Sequence, residues 1–526
     1  MFFSVYTLGC KLNQLESEAI ADSLCRHGFT YLKHLSENDS EPRSEAGNDP
    51  DLVVVNTCTV TSMADQKARR IIRKMLRDYP HSCLVVTGCY AQLEKEALSA
   101  LEEDESGRLF IVPGQKKDSI MDLGRFLSLS LHDPGCGQNS IGTALPDLIS
   151  SWLSAGASGS GSGQITPIRY AEGEGGAFRF NPGSFSSHSR SFLKIQDGCD
   201  HFCTYCRVRI ARGKSQSLGS REILKRLKTL EQQGFAEAVL TGVNISQYRD
   251  TELEFPGLGG LLDFLLRETS TIRFRLSSIE PDMFTLESDV LTLKKYSSDI
   301  FFRVLENHRI RPHFHLSLQS GSTAILAKMG RTYTPDDAER AVAVFRSIRQ
   351  DPFLACDIIT GFPGETEQEF EKTAELCERI GFSWIHAFPF SPRPGTAACD
   401  FPGKVSQREA TKRVEILSEL ARKGRRNYIW LWDGKEVEAV AEVAGSNTAR
   451  RKLPEGFFPA VSENYLKLSV DSGGKPIPPP GSLLRCRISV GEVPGNEDLP
   501  VLSQFDAHAV ITCQMALNAY SNNADM

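Results

Sequence analysis

No run of apolar residues in this 526-residue chain is long enough to cross a bilayer, so the sequence offers no membrane-spanning helix and no membrane partner. Its first residues, MFFSVYTLGCKLNQ, are partly apolar but have no basic stretch ahead of them and no cleavage-like end; they read as a buried strand rather than an export signal. Nor is there an excess of positive charge: 60 Lys and Arg against 66 Asp and Glu leave a formal −6, which excludes a uniformly basic nucleic-acid-binding surface and leaves only local patches to consider. The length is too great for one ordinary core, and two to four domains are expected. Cysteine, by contrast, is plentiful, with fourteen in a chain lacking export signals. That combination points to a reducing, cytoplasmic setting and to metal or redox work.

Three of the cysteines, Cys199, Cys203 and Cys206, share the stretch DGCDHFCTYC with CxxxCxxC spacing. Three thiolates on one tight loop can hold three irons of a [4Fe–4S] cube and leave the fourth without a protein ligand. An open metal position is a mark of chemistry rather than scaffolding. The spacing resembles the cluster loop of the radical S-adenosylmethionine (SAM) enzymes, which implies that the free iron chelates SAM. Two plainer readings stand beside it: a structural zinc site with His201 as fourth ligand, or a disulfide that strands one cysteine.

The first part of the chain repeats one pattern. FSVYTLGC ends at Cys10, DLVVVNTC at Cys58 and CLVVTGC at Cys89, and each run is followed by a helix-like segment, the third of these being QLEKEALSALEED. Strand, turn and helix in repetition read as a parallel sheet with helices on its faces. Ligands bind at the carboxyl edge of such sheets, so the three cysteines are expected to converge there and to hold a second cluster. Cys25 and Cys83 fall inside the helix and strand patterns and are expected in the core. In QKARRIIRKMLR, Ile71, Ile72, Met75 and Leu76 form an apolar stripe, with Arg70, Arg73, Lys74 and Arg77 opposite. That basic face is either solvated or suited to a phosphate backbone, which makes Arg70, Lys74 and Arg77 RNA-contact candidates. SENDSEPRSEAGNDPD reads as a mobile loop, and the Gly/Ser-rich stretch around SAGASGSGSG as a flexible linker or insertion; Cys136, within the latter, has no assigned role.

From Ser191 a longer strand–helix series begins: FLKIQDGC, AVLTGVNI, FRFRLSSIEP, FHLSLQSG, LACDIITGFPGE and IHAFPFSPRPGT. Six such strands predict a partial (β/α)6 barrel with its ligand loops at the carboxyl ends. Those loops carry Thr241, Gly242, Ser278, Glu280, Ser317, Gln319, Asp357 and Gly361, candidates for a SAM pocket, since glycines admit close approach and carboxylates or amides bind ribose or ammonium groups.

GCKLNQLES, NTCTVT, TGCYAQ, DGCDHFCTYC, ARGKSQS, LTGVNI, RLSSIEP, HLSLQSG, DIITGFPGET and FSPRPGTAA resemble, in order, the motifs of the methylthiotransferases of the radical SAM superfamily. GCKLNQ and LTGVNI look most like the branch acting on N6-threonylcarbamoyladenosine in tRNA; sister branches modify isopentenyladenosine in tRNA or an aspartate of a ribosomal protein. The resemblance implies two [4Fe–4S] clusters, an auxiliary one on Cys10, Cys58 and Cys89 and a radical SAM one on Cys199, Cys203 and Cys206. It implies transfer of a methylthio group to C2 of the modified adenine at tRNA position 37, beside the anticodon. It also implies a tRNA anticodon stem-loop as substrate, an electron donor such as flavodoxin or ferredoxin, and a sulfur source; a monomer is expected. One departure follows Cys206, where RVRIARG puts Arg207 and Arg209 in place of apolar residues and a proline. These arginines either pair with acids, contact RNA or mark altered activity. An RNA-binding iron–sulfur sensor and a zinc-stabilised RNA binder are the non-enzymatic alternatives.

The carboxyl-terminal part, KGRRNYIWLWDGKEVEAVAEV, ENYLKLSV and GSLLRCRISVGE, reads as short strands of a small β-barrel resembling the RNA-binding TRAM domain. Tyr428, Trp430 and Trp432 are expected to alternate along a strand behind Arg422, Lys423, Arg425 and Arg426, with at least one tryptophan in the barrel core. Arg425, Arg426 and Trp430 are RNA-contact candidates. The expected organisation is α/β: an N-terminal domain (1–132), a linker or insertion (133–190), a radical SAM domain (191–424), a TRAM-like domain (425–500) and a tail (501–526).

Overall fold

The computed structural model describes residues 1–32, 49–59, 61–101, 107–131, 141–157, 176–182, 190–284, 300–443, 453–490 and 505–514. The chain forms two compact units: Met1–Ser184 with Asp197–His201 and Cys206–Ser215, and Phe185–Gln196 with Phe202–Tyr205 and Gln216–Met526.

The first unit is built on β1 (Phe2–Thr7), β2 (Thr30–Tyr31), β3 (Leu52–Thr57), β4 (Cys83–Gly88) and β5 (Leu109–Ile111), paired in the order β2-β1-β3-β4-β5. All four pairings are parallel, as the repeated strand–helix pattern predicts. Because side chains alternate across a strand, the sheet has two apolar faces. Val54 and Val85 pack under α1 (Lys11–Arg26) and the helix Ile120–Leu131, whereas Val53, Val55, Leu84 and Val86 pack under α2 (Ser62–Asp78). Part of the expected linker is folded: the helix Ile141–Ala157 buries Leu145, Ile149 and Trp152 in the first of these cores. Its own apolar spacing outweighs the Gly/Ser composition around it; SAGASGSGSG from residue 158 onward, Cys136 and residues 33–48 of the polar loop lie outside the described residues. Cys83 is buried as expected, but Cys25 is exposed, on the solvent side of α1. QLEKEALSALEED is not one helix; Glu94 interrupts it between Cys89–Leu93 and Lys95–Ser99.

In the second unit β6 (Ser191–Lys194), β9 (Glu237–Thr241) and β10 (Arg273–Leu276) form one parallel sheet, and β11 (His313–Gln319), β12 (Phe353–Thr360) and β13 (Trp384–Pro389) another. Parallel bridges Phe274–Ile310 and Ile279–Leu316 join them into a six-stranded half-barrel. The short strands β7 (Gln196–Asp197) and β8 (Gln216–Ser217) flank the CxxxCxxC loop in sequence.

A closed barrel follows: β14 (Glu436–Ala441), β15 (Phe457–Ser462), β16 (Lys467–Asp471), β17 (Leu483–Ser489) and β18 (Ala507–Gln514) in the order β14-β15-β16-β18-β17. Its closing strand lies in the segment expected as a tail. A second correction concerns the aromatic triplet, which ends or follows a helix, Gln407–Trp430, rather than lying on a strand. Tyr428, inside the helix, and Trp432, in the turn after it, pack on the barrel core; Trp430, at the helix end, is 58% exposed. Spacing of two residues fits a strand, but spacing of four also fits a helix, and the preceding turns decide for the latter.

Candidate cluster and substrate site

Cys58 and Cys89 directly follow the carboxyl ends of β3 and β4, and Cys10 lies three residues beyond the end of β1; the three strands are consecutive in one sheet. Side chains tie these ends together. Asn13 Nδ2 donates to the carbonyls of Leu8 (2.7 Å) and Thr57 (3.0 Å), and Thr57 Oγ1 donates to the Thr87 carbonyl at 2.5 Å. Gly9 (φ +102°) lies so close to Cys58 that a Cβ on it would sit 2.4 Å from the Cys58 Cβ and 2.7 Å from its Sγ. Gly88 (φ +100°) similarly presses on the Thr57 carbonyl, 2.2 Å from where a Cβ would stand. The backbone is therefore held in glycine-only conformations that bring the three strand tips together.

A buried cation serves this edge. Arg212 donates to Asn13 Oδ1, Glu16 Oε1 and Asp197 Oδ1, each at 3.1 Å. Glu16, fully buried, also pairs with Lys117. Burial by itself would lower the pKa of the Arg212 guanidinium, but Glu16, Cys89, Asp197 and Cys10 together raise it well above the usual range. The guanidinium therefore keeps its positive charge beside the strand ends that carry Cys10 and Cys89.

The second cysteine run lies on the loop after β7. Cys199 N donates to the Gly213 carbonyl at 3.1 Å, and Val208 N points at Cys206 Sγ at 3.4 Å. Arg207 pairs with Glu94 at 3.0 Å and Arg209 donates to the Asp200 carbonyl at 2.8 Å, so of the readings for these arginines the structure takes pairing with an acid for Arg207. In the second unit, Arg331 pairs with Glu280 at 2.5 Å, donates to the Tyr205 hydroxyl at 2.6 Å and lies against the Tyr205 and Tyr333 rings. Burial opposes its charge, yet Tyr205, Tyr333, Cys203 and Glu280 hold its pKa well above the ordinary value.

The pocket candidates lie on or after β9 to β12. Thr241 is buried, and Gly242 sits against Gln196, whose Oε1 accepts the Asn244 N–H at 2.8 Å. Ser278 is half-buried, two residues before the ion-paired Glu280. The Ser317 carbonyl accepts from the Tyr333 hydroxyl. Gln319 adopts φ +67° although it is not glycine, a strain that clusters at functional sites. Asp357 Oδ1 is 3.0 Å from His315 Nε2. Gly361 has an evident packing role: its N–H donates to Glu365 at 2.5 Å, and a Cβ there would strike Ala410 at 2.5 Å.

Of the RNA candidates, Arg70, Lys74 and Arg77 line an open groove on α2 with Gln66, Arg69 and Arg73. Arg425 is engaged internally: it donates to Asp506 Oδ1 at 2.8 Å and lies over the Phe353 ring at 4.7 Å. Arg426 and Trp430, one helical turn apart, are exposed. The sequence reading missed Asn13, Glu16 and Arg212 as functional positions, although all three lie in the quoted motifs GCKLNQLES and ARGKSQS. It also missed Lys117, Arg331 and His315.

A parallel half-barrel, a CxxxCxxC loop and a parallel sheet with three cysteines at adjacent strand ends, all in one chain, define an iron–sulfur enzyme of the radical SAM class. Residues 193–377 match the model of the Radical SAM superfamily and residues 3–107 that of Uncharacterized protein family UPF0004. The chain is 39% identical to the threonylcarbamoyladenosine tRNA methylthiotransferase MtaB of Treponema pallidum, over 92% of this chain and 97% of that one. It is 30% identical to the tRNA-2-methylthio-N(6)-dimethylallyladenosine synthase of Geobacter metallireducens, over 80% and 82%. Among solved structures, the radical SAM methyltransferase TsrM of Kitasatospora setae aligns with a TM-score of 0.47 at 15% identity, covering 76% of this chain and 74% of that one. The chain belongs to the MtaB family of methylthiotransferases.

Proposed function

We propose that this protein adds a methylthio group to C2 of N6-threonylcarbamoyladenosine next to the anticodon of tRNA. The observation that carries the reading is the gathering of Cys10, Cys58 and Cys89 on one sheet edge in a chain that also bears the CxxxCxxC loop, which gives two separate triads of thiols. Each triad fits a [4Fe–4S] cluster with one iron left open. When bound, the two clusters and SAM supply the one-electron chemistry that an unactivated aromatic C–H bond requires and that acid–base side chains cannot provide. The residues of the chain hold and screen those groups: Arg212 offsets negative charge at the strand tips, and Arg331, buried between Tyr205 and Tyr333, does so beside Cys203. In the first unit the groove on α2 supplies phosphate contacts for RNA; in the second, Arg426 and Trp430 supply a contact and a stacking surface of their own. The target base is splayed out of its loop to reach the reacting centre. A cytoplasmic monomer served by a flavodoxin- or ferredoxin-like electron donor and a sulfur source completes the proposal. No helix among the described residues is long and apolar enough to cross a membrane.

The test is mass spectrometry of tRNA nucleosides from cells with and without the gene. Loss of the 2-methylthio form with accumulation of N6-threonylcarbamoyladenosine is expected. An unchanged level of that form, with loss of the dimethylallyl counterpart, would assign the sister substrate instead.

A further inference from the structure

The concave face of the last three parallel strands carries a row of aromatic and titratable side chains that holding the clusters does not require. His315 on β11 stacks on His386 of β13 with ring centroids 5.3 Å apart and planes within 9°, and His386 in turn stacks on Phe388 at 6.4 Å and 5°. Neighbouring strands lie about 4.8 Å apart, so residues of β11 and β13 touch across β12 only because the wall is curled and its inward side chains converge. Asp357, on the intervening strand and in register with His386, stands 3.0 Å from His315 Nε2. Trp384 Nε1 donates to His386 Nδ1 at 3.2 Å. An indole N–H can only donate, so Nδ1 of His386 accepts and the ring carries its proton on Nε2. A histidine on a strand face is ordinarily packed away. Here His386 is exposed and Phe388 is 43% exposed, although Ile385 on the same strand is buried.

We infer that His386, stacked on the His315–Asp357 pair and flanked by Phe388, is the specificity-determining residue that recognises the threonylcarbamoyl substituent of the target base. The inference rests on the function proposed above and names the contact that selects its substrate. The row offers a flat surface for a purine or its planar urea extension. The imidazole N–H suits a substituent rich in acceptors, with a urea carbonyl and a free carboxylate. A dimethylallyl group has no acceptor and, once seated on the row, would cover the donor and leave it unpaired, the kind of loss by which a polar site rejects an apolar analogue.

The experiment measures equilibrium binding of reconstituted holoenzyme to three anticodon stem-loops: one with N6-threonylcarbamoyladenosine, one with its carboxamide, and one with N6-dimethylallyladenosine. Wild type is expected to bind the carboxylate form tighter than the carboxamide by roughly 10-fold or more, the range for a hydrogen bond to a charged group. In His386→Phe, which keeps the ring stack and removes the donor, that ratio falls towards one. His386→Gln, whose amide nitrogen can stand near the Nε2 position, restores part of it. A His386→Phe variant that keeps the wild-type ratio, or that loses affinity equally for both forms, overturns the assignment of His386 alone. A wild-type enzyme that modifies only the dimethylallyl stem-loop overturns the proposed substrate, and the assignment with it.

Discussion

Strand ends approach one another this closely only where the backbone carries no side chain, and Gly9 and Gly88 provide that beside Cys58 and Thr57. Each occupies a left-handed conformation, and each lies where a Cβ would collide with the adjacent strand tip. Gly88→Ala meets the Thr57 carbonyl rather than a movable side chain, so it should destabilise the first unit by at least about 2 kcal/mol, measured by denaturant unfolding. An unaltered midpoint would show that the turn is looser than its geometry. Cys58 itself is buried against Gly9, and its replacement should be more selective. If the first triad holds a cluster, as proposed, Cys58→Ala should lower iron after reconstitution from about eight to about four atoms per chain. Release of 5′-deoxyadenosine should persist while methylthio insertion stops. Should insertion survive and SAM cleavage vanish, the roles given to the two triads would be reversed.

At the scale of elements, α2 divides its work between faces. Ala68, Ile71, Ile72, Met75 and Leu76 are buried against the sheet, while Arg70, Arg73 and Arg77 are exposed along the groove. If that groove holds RNA phosphates, replacing Arg73 and Arg77 by alanine should weaken stem-loop binding regardless of base identity. The slope of log affinity against log salt should flatten by about 0.7 to 0.9 per charge removed. Anisotropy titrations across a salt series would read it, and an unaltered slope would return the helix to the solvent. The division was legible from the sequence because helical period and charge agree along QKARRIIRKMLR. The strand-tip cysteines were legible for a similar reason, a local pattern repeated three times. Tyr428, Trp430 and Trp432 misled because their spacing satisfies two periods, and the helix Ile141–Ala157 was hidden by the composition of its flanks. The Arg212–Glu16 pair joins residues 196 positions apart, and no local pattern encodes such a partner.

At the scale of the second unit, the half-barrel and the closed barrel are joined by a buried charge network at the amino-terminal ends of the strands. Glu237, the first residue of β9, accepts from Arg275 at 2.7 Å and from Arg311 at 2.9 Å. Arg275 continues to the carbonyls of Ser462 and Glu463, and Arg311 reaches Glu438 at 2.8 Å, so both arginines extend into the closed barrel. The Tyr465 ring packs against His313 with centroids 4.1 Å apart and lies 5.2 Å from the Arg275 guanidinium. Burial would raise the Glu237 carboxyl, but Arg275 and Arg311 overcome it and hold its pKa at about 2, against an ordinary 4.5. A carboxylate depressed in the folded state stabilises fully above its unfolded value, and that contribution is lost as pH falls through the folded one. Glu237→Gln leaves two buried guanidinium groups short of their counter-charge, a loss of about 3 to 5 kcal/mol at neutral pH. The melting temperature of this unit should therefore drop by roughly 5 to 10 °C. The gap between wild type and variant should narrow between about pH 4.5 and pH 2, as the wild-type carboxylate itself takes up a proton. Because the arginines span both barrels, calorimetry should show the two lose stability together. A variant in which only the closed barrel melts early, with the half-barrel unmoved, would mean that the network bridges the two without coupling them.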